Sequence, residues 1–300
     1  SFDLDAYARR VEQSGARVLT LDDAAYPERL KAASDPPPVL YMKGELLPAD
    51  AWPIAVVGTR RASAYGRHVA ERIAGDLARS GVTIVSGLAR GIDSFAHRAA
   101  IEAGGRTIAV LGNGIDRVYP PENARLAAAV AEHGALLSEF PLGTPPDAMN
   151  FPRRNRVIAG LSMGVLVVEA PRESGAMITA DLALEQGRDV YAVPGSVFSP
   201  GSVGPHQLLK DGAKLVTSAE DILEELHLDM VAEKLATREV FPENEAEAQL
   251  LRLLGAEPVH VDELSRTLGL PASAVSGTLA ILELKGLARS VGSMYYVRGR

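Results

Sequence analysis

From residue 54 onward the chain repeats one pattern: a short apolar or β-branched run, a turn rich in small residues, then an amphipathic stretch of helical period. The runs fall at 54–57, 82–85, 107–111, 135–138, 165–168, 189–193 and 214–216, with helical stretches at 68–80, 95–102 and 123–133 between them. Strands that are apolar throughout must be covered on both faces, and intervening helices return the chain for parallel pairing. The pattern predicts an α/β fold: an extended Rossmann-like, mostly parallel sheet with helices on both faces. Ligands in such sheets bind where strand carboxyl ends meet the following turns. Function is therefore read from the residues after each strand.

The flanks read differently. A helix is predicted over 4–13, a strand over 17–20, a stiff connector over 26–38 and an edge strand over 39–44; Pro36, Pro37 and Pro38 exclude a helix there. Residues 218–242 hold seven acidic and two basic side chains and read as a helical linker ending at Phe241-Pro242. Beyond it, a helix at 245–254, a short helix at 262–268, the turn Gly269-Leu270-Pro271, a helix at 272–285 and a wing at 288–297 about Gly292 make a winged helix-turn-helix pattern. The expected divisions are 1–46 (a short helical N-terminal segment and connector, the remnant of a larger SAM-like module), 47–217 (core), 218–242 (linker) and 243–300 (winged helix). The first residue is Ser1, which points to a trimmed end.

Charge narrows the chemistry. The net charge is −7, against a general polyanion binder, yet residues 52–217 carry 17 basic and 15 acidic side chains, and only two of the basic ones are lysines. Phosphate binding is thus expected locally, in the core. There is no cysteine, so thiol chemistry and thiolate metal sites are excluded, and six scattered histidines show no ligand spacing. No metal and no cofactor are expected. With no long apolar run and no basic leader before one, a cytoplasmic protein with no membrane partner is expected.

The densest signal is Asn150-Phe151-Pro152-Arg153-Arg154-Asn155-Arg156, running into an apolar helix. Guanidinium forks match phosphate oxygens, and an exposed ring offers a face on which a base stacks. The segment reads as a site for an unpaired polynucleotide, or as an Arg-rich helix start tied to acidic neighbours. Other tips agree with the first reading. Gly58-Thr59-Arg60, with Ser63 before a helix, is neither G-x-G-x-x-G nor a P-loop, but its glycine and helix start suit an anion. Ser86-Gly87 and Ser174-Gly175 are further backbone cradles, with Thr179 as a hydroxyl contact. Asp93 and His97 form an i,i+4 pair, read either as an acid/base pair or as an N-cap and its packed neighbour.

Seven segments then recur in order across roughly 20–220: V-G-T-R at 57–60, S-G-L-A-R-G-I-D at 86–93, A-V-L-G-N-G at 109–114, S-E-F-P at 138–141, N-F-P-R-R-N-R-V-I-A-G-L-S at 150–162, S-G-A-M-I-T-A at 174–180 and V-P-G-S at 193–196. This set resembles the DNA-processing protein A (DprA, or Smf) family. The resemblance implies a core that binds single-stranded DNA, loads the RecA recombinase onto it during natural transformation, and forms a homodimer. It implies DNA contacts at Arg60, the Ser86-Gly87 tip, Phe151 and the Arg-Asn-Arg run. Many members carry a lysine three residues before the Phe, where this chain has Ala148.

Two other classes share parts of this pattern. A nucleoside-monophosphate phosphoribohydrolase would use Asp93, Glu139 or Glu169 as acid or base, but the P-G-G-x-G-T-x-x-E signature of that group is absent. A transcription regulator would read duplex DNA with its winged helix. The helix at 272–285 offers Ser273, Ser276, Thr278 and only a late Lys285, which favours a partner-binding or regulatory role. The expectation is a DNA-binding protein that is not an enzyme.

Overall fold

The computed structural model describes residues 3–226, 245–255, 258–284, 287–292 and 294–298. Its contacts fall into two compact units, Ser1–Asp229 and Met230–Arg300. The larger unit is built on nine strands: β1 (Arg17–Thr20), β2 (Val39–Gly44), β3 (Pro53–Val57), β4 (Thr83–Ser86), β5 (Thr107–Leu111), β6 (Gly134–Ser138), β7 (Gly164–Val167), β8 (Asp189–Ala192) and β9 (Lys214–Leu215). They pair in the order β1-β2-β6-β5-β4-β3-β7-β8-β9. All neighbours from β6 to β9 are parallel, whereas β2 pairs antiparallel with both β6 and β1. The expected edge strand β2 is therefore internal, because β1 covers its outer side. Residues 1–46 carry the helix expected over 4–13 and contribute these two strands to the main sheet.

The helices are α1 (Leu4–Gln13), α2 (Glu28–Lys31), α3 (Ala64–Arg79), α4 (Ile92–Glu102), α5 (Ala124–Glu132), α6 (Asn150–Leu161), α7 (Gly175–Glu185), α8 (Val203–Lys210) and α9 (Ala219–Glu225). Side chains alternate across the sheet. Ala55, Val57, Ile108 and Val110 pack with Val157 and Ile158 of α6 and Ala180 of α7, while Ala109, Leu111 and Leu136 pack with Leu126 and Val130 of α5. Helices α3, α4 and α5 cover one face, and α6, α7 and α8 the other. The strands are buried residue for residue from β3 to β7, which is why they read as continuous apolar runs.

The smaller unit holds α10 (Glu245–Leu253), α11 (Val261–Leu268) and α12 (Ala272–Leu284) on a sheet ordered β10-β12-β11, where β10 is Val259–His260, β11 Ala288–Gly292 and β12 Tyr295–Arg298. Leu250, Leu264, Val275, Leu279 and Leu282 form its core. It is a winged helix. Lys285, Phe241-Pro242 and the linker beyond residue 226 lie outside the described residues.

His97 of α4 is fully buried, with Nδ1 2.6 Å from the Thr107 hydroxyl, which itself donates to the Ile84 carbonyl. That hydroxyl must accept, so Nδ1 carries the proton and the imidazole is neutral. Burial pushes its pKa down to about 3, from an ordinary 6.5. A histidine depressed in the folded state stabilises it above the unfolded pKa, and that contribution is lost as pH falls from 6.5 towards 3. The expected loss from this group is about 2 kcal/mol by pH 5. Urea denaturation of His97→Asn, which keeps a donor toward Thr107, should show a shallower fall in stability between pH 7 and pH 5 than the parent chain.

Candidate nucleic-acid interface

Strand order reverses between β3, whose helix α3 covers one face, and β7, whose helix α7 covers the other. A crevice must open at the carboxyl ends of these two strands. It has a volume of about 320 Å³ and is lined by Gly58, Arg60 and Arg61 of the β3 turn, Phe151, Arg154 and Asn155 of α6, and Ser174 and Gly175 before α7. The Phe151 ring lies against Gly112 at the β5 tip, where a Cβ would come within 2.7 Å of it. Its ring centroid is 5.8 Å from that of Tyr119, and the Arg60 guanidinium sits over it at 5.2 Å. Arg60 is exposed and, among the described residues, has no carboxylate within ion-pair distance.

The three expected guanidinium prongs of α6 diverge, because successive helical residues point about 100° apart. Arg153 is exposed, its guanidinium 5.6 Å from the Phe140 ring centroid. Arg156 pairs with Glu139 at 2.5 Å and with Asp35 at 3.2 Å, tying α6 to two loops. Arg154 is buried and donates to the Gly87 carbonyl at 2.6 Å and the Val110 carbonyl at 2.5 Å, joining the tips of β4 and β5. Burial pulls the Arg154 pKa down to about 10, against the support of the neighbouring Asp93. Arg154 and Arg156 are thus committed to internal partners, and Arg153 and Arg60 remain outward. Asn155 donates to the Gly175 carbonyl at 3.0 Å and fixes α6 against the start of α7.

Most of the glycine-rich tips are filled by the protein itself. Gly58 packs under Ile92, and Thr59 donates its peptide N–H to the Glu169 carbonyl at 2.6 Å. The buried Glu169 carboxylate accepts from the Ser63 N–H at 2.9 Å and the Ser63 hydroxyl at 2.6 Å, occupying the start of α3 as an internal anion. At the β4 tip the Ser86 hydroxyl donates to the Val56 carbonyl at 2.7 Å, and a Cβ on Gly87 would overlap the Arg154 guanidinium. The Gly87 N–H is taken by Asp93 at 3.1 Å. Ser63, Ser86 and Gly87, expected to face a ligand, serve instead to hold the rim.

The start of α7 differs. Gly175 is exposed, and a Cβ there would meet nothing within 4 Å. The Ser174 hydroxyl is buried with no hydrogen-bond partner among the described residues. Thr179 turns its hydroxyl to the Gly175 carbonyl at 3.1 Å, away from the contact expected of it. Asp93 and His97 are no acid/base pair. Asp93 binds the N–H groups of Gly87 and Ala89, and burial raises its pKa despite Arg154. Gly91, not Asp93, is the N-cap of α4.

Tyr119 is the site residue that sequence reasoning passed over; its only signal was an aromatic before two prolines. With Ala148, Phe151, Arg60 and Gly175 it lines an adjoining hollow of about 440 Å³. Ala148 is exposed on this wall.

The profile of DNA recombination-mediator protein A matches residues 17–227, and that of the DprA winged helix domain matches 233–293. Protein Smf of Escherichia coli is 46% identical over 292 residues, covering 95% of this chain and 78% of its own. DNA processing protein DprA of Bacillus subtilis is 48% identical over 215 residues, 71% of this chain and 72% of its own. Among solved structures, DprA from Streptococcus pneumoniae superposes with a TM-score of 0.69 at 44% identity, covering 75% of this chain and 78% of that one. A structure addressing the single-stranded DNA binding mode of DNA processing protein A from Helicobacter pylori gives 0.64 at 30% identity, covering 72% and 98%.

The burial of the guanidiniums separates their roles experimentally. Arg154→Ala strands the Asp93 carboxylate and leaves two buried carbonyls short of a donor, a loss of about 3–5 kcal/mol. Arg60→Ala should lie within about 0.5 kcal/mol of the parent. The urea midpoint of the core transition measures both. Equal stability of the two variants would contradict the internal role of Arg154.

Proposed function

Because the chain belongs to the DNA recombination-mediator protein A family, we propose that its carboxyl-edge crevice binds single-stranded DNA and delivers it to the RecA recombinase during DNA uptake. The observation that carries this reading is the Arg60 guanidinium stacked on Phe151 at the mouth of the crevice. A base stacks on such a platform whatever its identity, while the cation meets the adjacent phosphate. The open start of α7 borders the same crevice and supplies uncommitted peptide N–H groups. Single-stranded DNA binding in the relative from Helicobacter pylori supports the same ligand class here. Base edges find few fixed side-chain partners in the crevice, so sequence preference is weak.

The reading includes no catalysis. Glu169 caps α3, Asp93 is buried on two peptide N–H groups, and Glu139 is paired with Arg156, so each carboxylate weighed as an acid or base has a structural task. We also infer that the protein acts as a homodimer through its core and works in the cytoplasm; no described helix is long and apolar enough to cross a membrane.

Fluorescence anisotropy with oligothymidylate over a range of salt concentrations tests the crevice. Arg60→Ala should weaken binding to all sequences alike and lower the salt slope by about 0.7, the signature of one lost single-strand phosphate contact. Phe151→Ala should cost about 1–3 kcal/mol with little change of slope. Ala148→Lys adds an ammonium to the same wall and should raise both affinity and slope, by about one contact. An unchanged slope in Arg60→Ala removes the crevice from DNA binding.

A further inference from the structure

The arrangement at Phe151 occurs twice. Two guanidiniums lie within 6 Å of the Phe151 ring centroid, Arg60 at 5.2 Å and Arg154 at 5.8 Å. Phe95, in the first turns of α4, likewise has Arg67 of α3 at 5.2 Å and Arg98 of α4 at 5.9 Å from its ring centroid. The second cluster is tied to the crevice by two helical turns. The Arg67 N–H bonds the Ser63 carbonyl at 2.9 Å, and the Phe95 N–H bonds the Gly91 carbonyl at 3.1 Å. Ser63 ends the turn that carries Arg60, and Gly91 packs directly on the Thr59–Arg60 backbone. Phe95 and Arg67 therefore stand one turn, about 6 Å along each axis, from the loop that borders the crevice.

Two cations on this path are uncommitted. Arg61 and Arg98 are exposed and, among the described residues, have no carboxylate within ion-pair distance. Arg67 shares its Nε with Glu71 at 2.8 Å, and its side chain is 61% exposed. A hollow of about 350 Å³ adjoins the cluster, bordered by Arg67, Arg79 and Arg98 together with Glu71 and Glu102. Neither Phe95 nor its arginines line the crevice. Stacking on Phe95 holds two long, flexible side chains beside each other, which reduces the entropy lost when they close on a ligand.

We infer that the Phe95–Arg67–Arg98 cluster is a second subsite for single-stranded DNA, taking up the phosphates of a strand that leaves the crevice past Arg61 and runs over α3 and α4. The inference rests on the crevice being the primary site. A short oligonucleotide fills the crevice alone, whereas a longer one reaches the second cluster.

The test compares oligothymidylates of about 6 and about 20 nucleotides, lengths bracketing a typical single-strand site, on the full chain. The variants are Arg98→Ala and the double variant Arg67→Ala/Arg98→Ala, with thermal melts to verify the fold. For the longer strand the double variant should bind about tenfold more weakly, with a salt slope lower by about 1.4, twice the value for one contact. Arg98→Ala alone should lower that slope by about half as much. For the shorter strand neither variant should change affinity. No change with the longer strand, or the same loss at both lengths, overturns the second subsite. Arg60→Ala measured in parallel keeps the two claims apart, since it must weaken both lengths if the crevice is the primary site.

Discussion

The carboxyl edge of this sheet depends on one buried guanidinium. Arg154 enters the gap between the β4 and β5 tips, where the Gly87 and Val110 carbonyls would otherwise lack donors, and lies beside the Asp93 carboxylate. A charge in that position is tolerable because it has both hydrogen-bond acceptors and a counter-ion. Its placement fixes the rotation of α6 about its axis. Phe151, three residues earlier on the same helical face, is thereby set over Gly112, and Arg153 is turned out to solvent.

The same interaction changes what the glycine tips mean. Small residues at the ends of parallel strands usually suggest peptide nitrogens bared for an anion. Here Gly87 is small because a guanidinium fills the place of its side chain, and Gly112 because a phenyl ring does. The carboxyl groups of Glu169 and Asp93 accept from the Ser63 and Gly87 N–H groups at two tips where the sequence pointed to a phosphate. The start of α7 remains open. The edge is thus largely a self-assembled scaffold that presents a stacked Arg–Phe pair and a single cradle, a narrower device than a continuous phosphate rim.

Rigidity and exposure divide along these lines. The hydrogen bonds of Arg154 and the ion pairs of Arg156 hold α6 against the sheet and the preceding loops, so the outward groups stand on a fixed base. Arg60, Arg61, Arg98 and Arg153 keep their charge in water and lose little by meeting a flexible polyanion. Affinity built from a few such cations and one or two rings is sensitive to salt and indifferent to sequence.

The parallel α/β core, the winged helix and most element boundaries were legible in the sequence, because strand burial and helix periodicity leave local patterns that survive without tertiary knowledge. Arg60 and Phe151 were also visible, as a cation after a strand and a ring at a helix start. Three arginines within four residues, by contrast, look alike in sequence. Only the packing of α6 decided that Arg154 points inward, Arg156 pairs with Glu139 and Arg153 faces solvent, because side-chain direction follows helix rotation, which distant contacts set. The role of Glu169, which lies 106 residues from Ser63, and the approach of Tyr119 to Phe151 were likewise matters of tertiary structure. A sequence records which groups are available, but which of them neutralise one another depends on distances that exist only after the chain has folded.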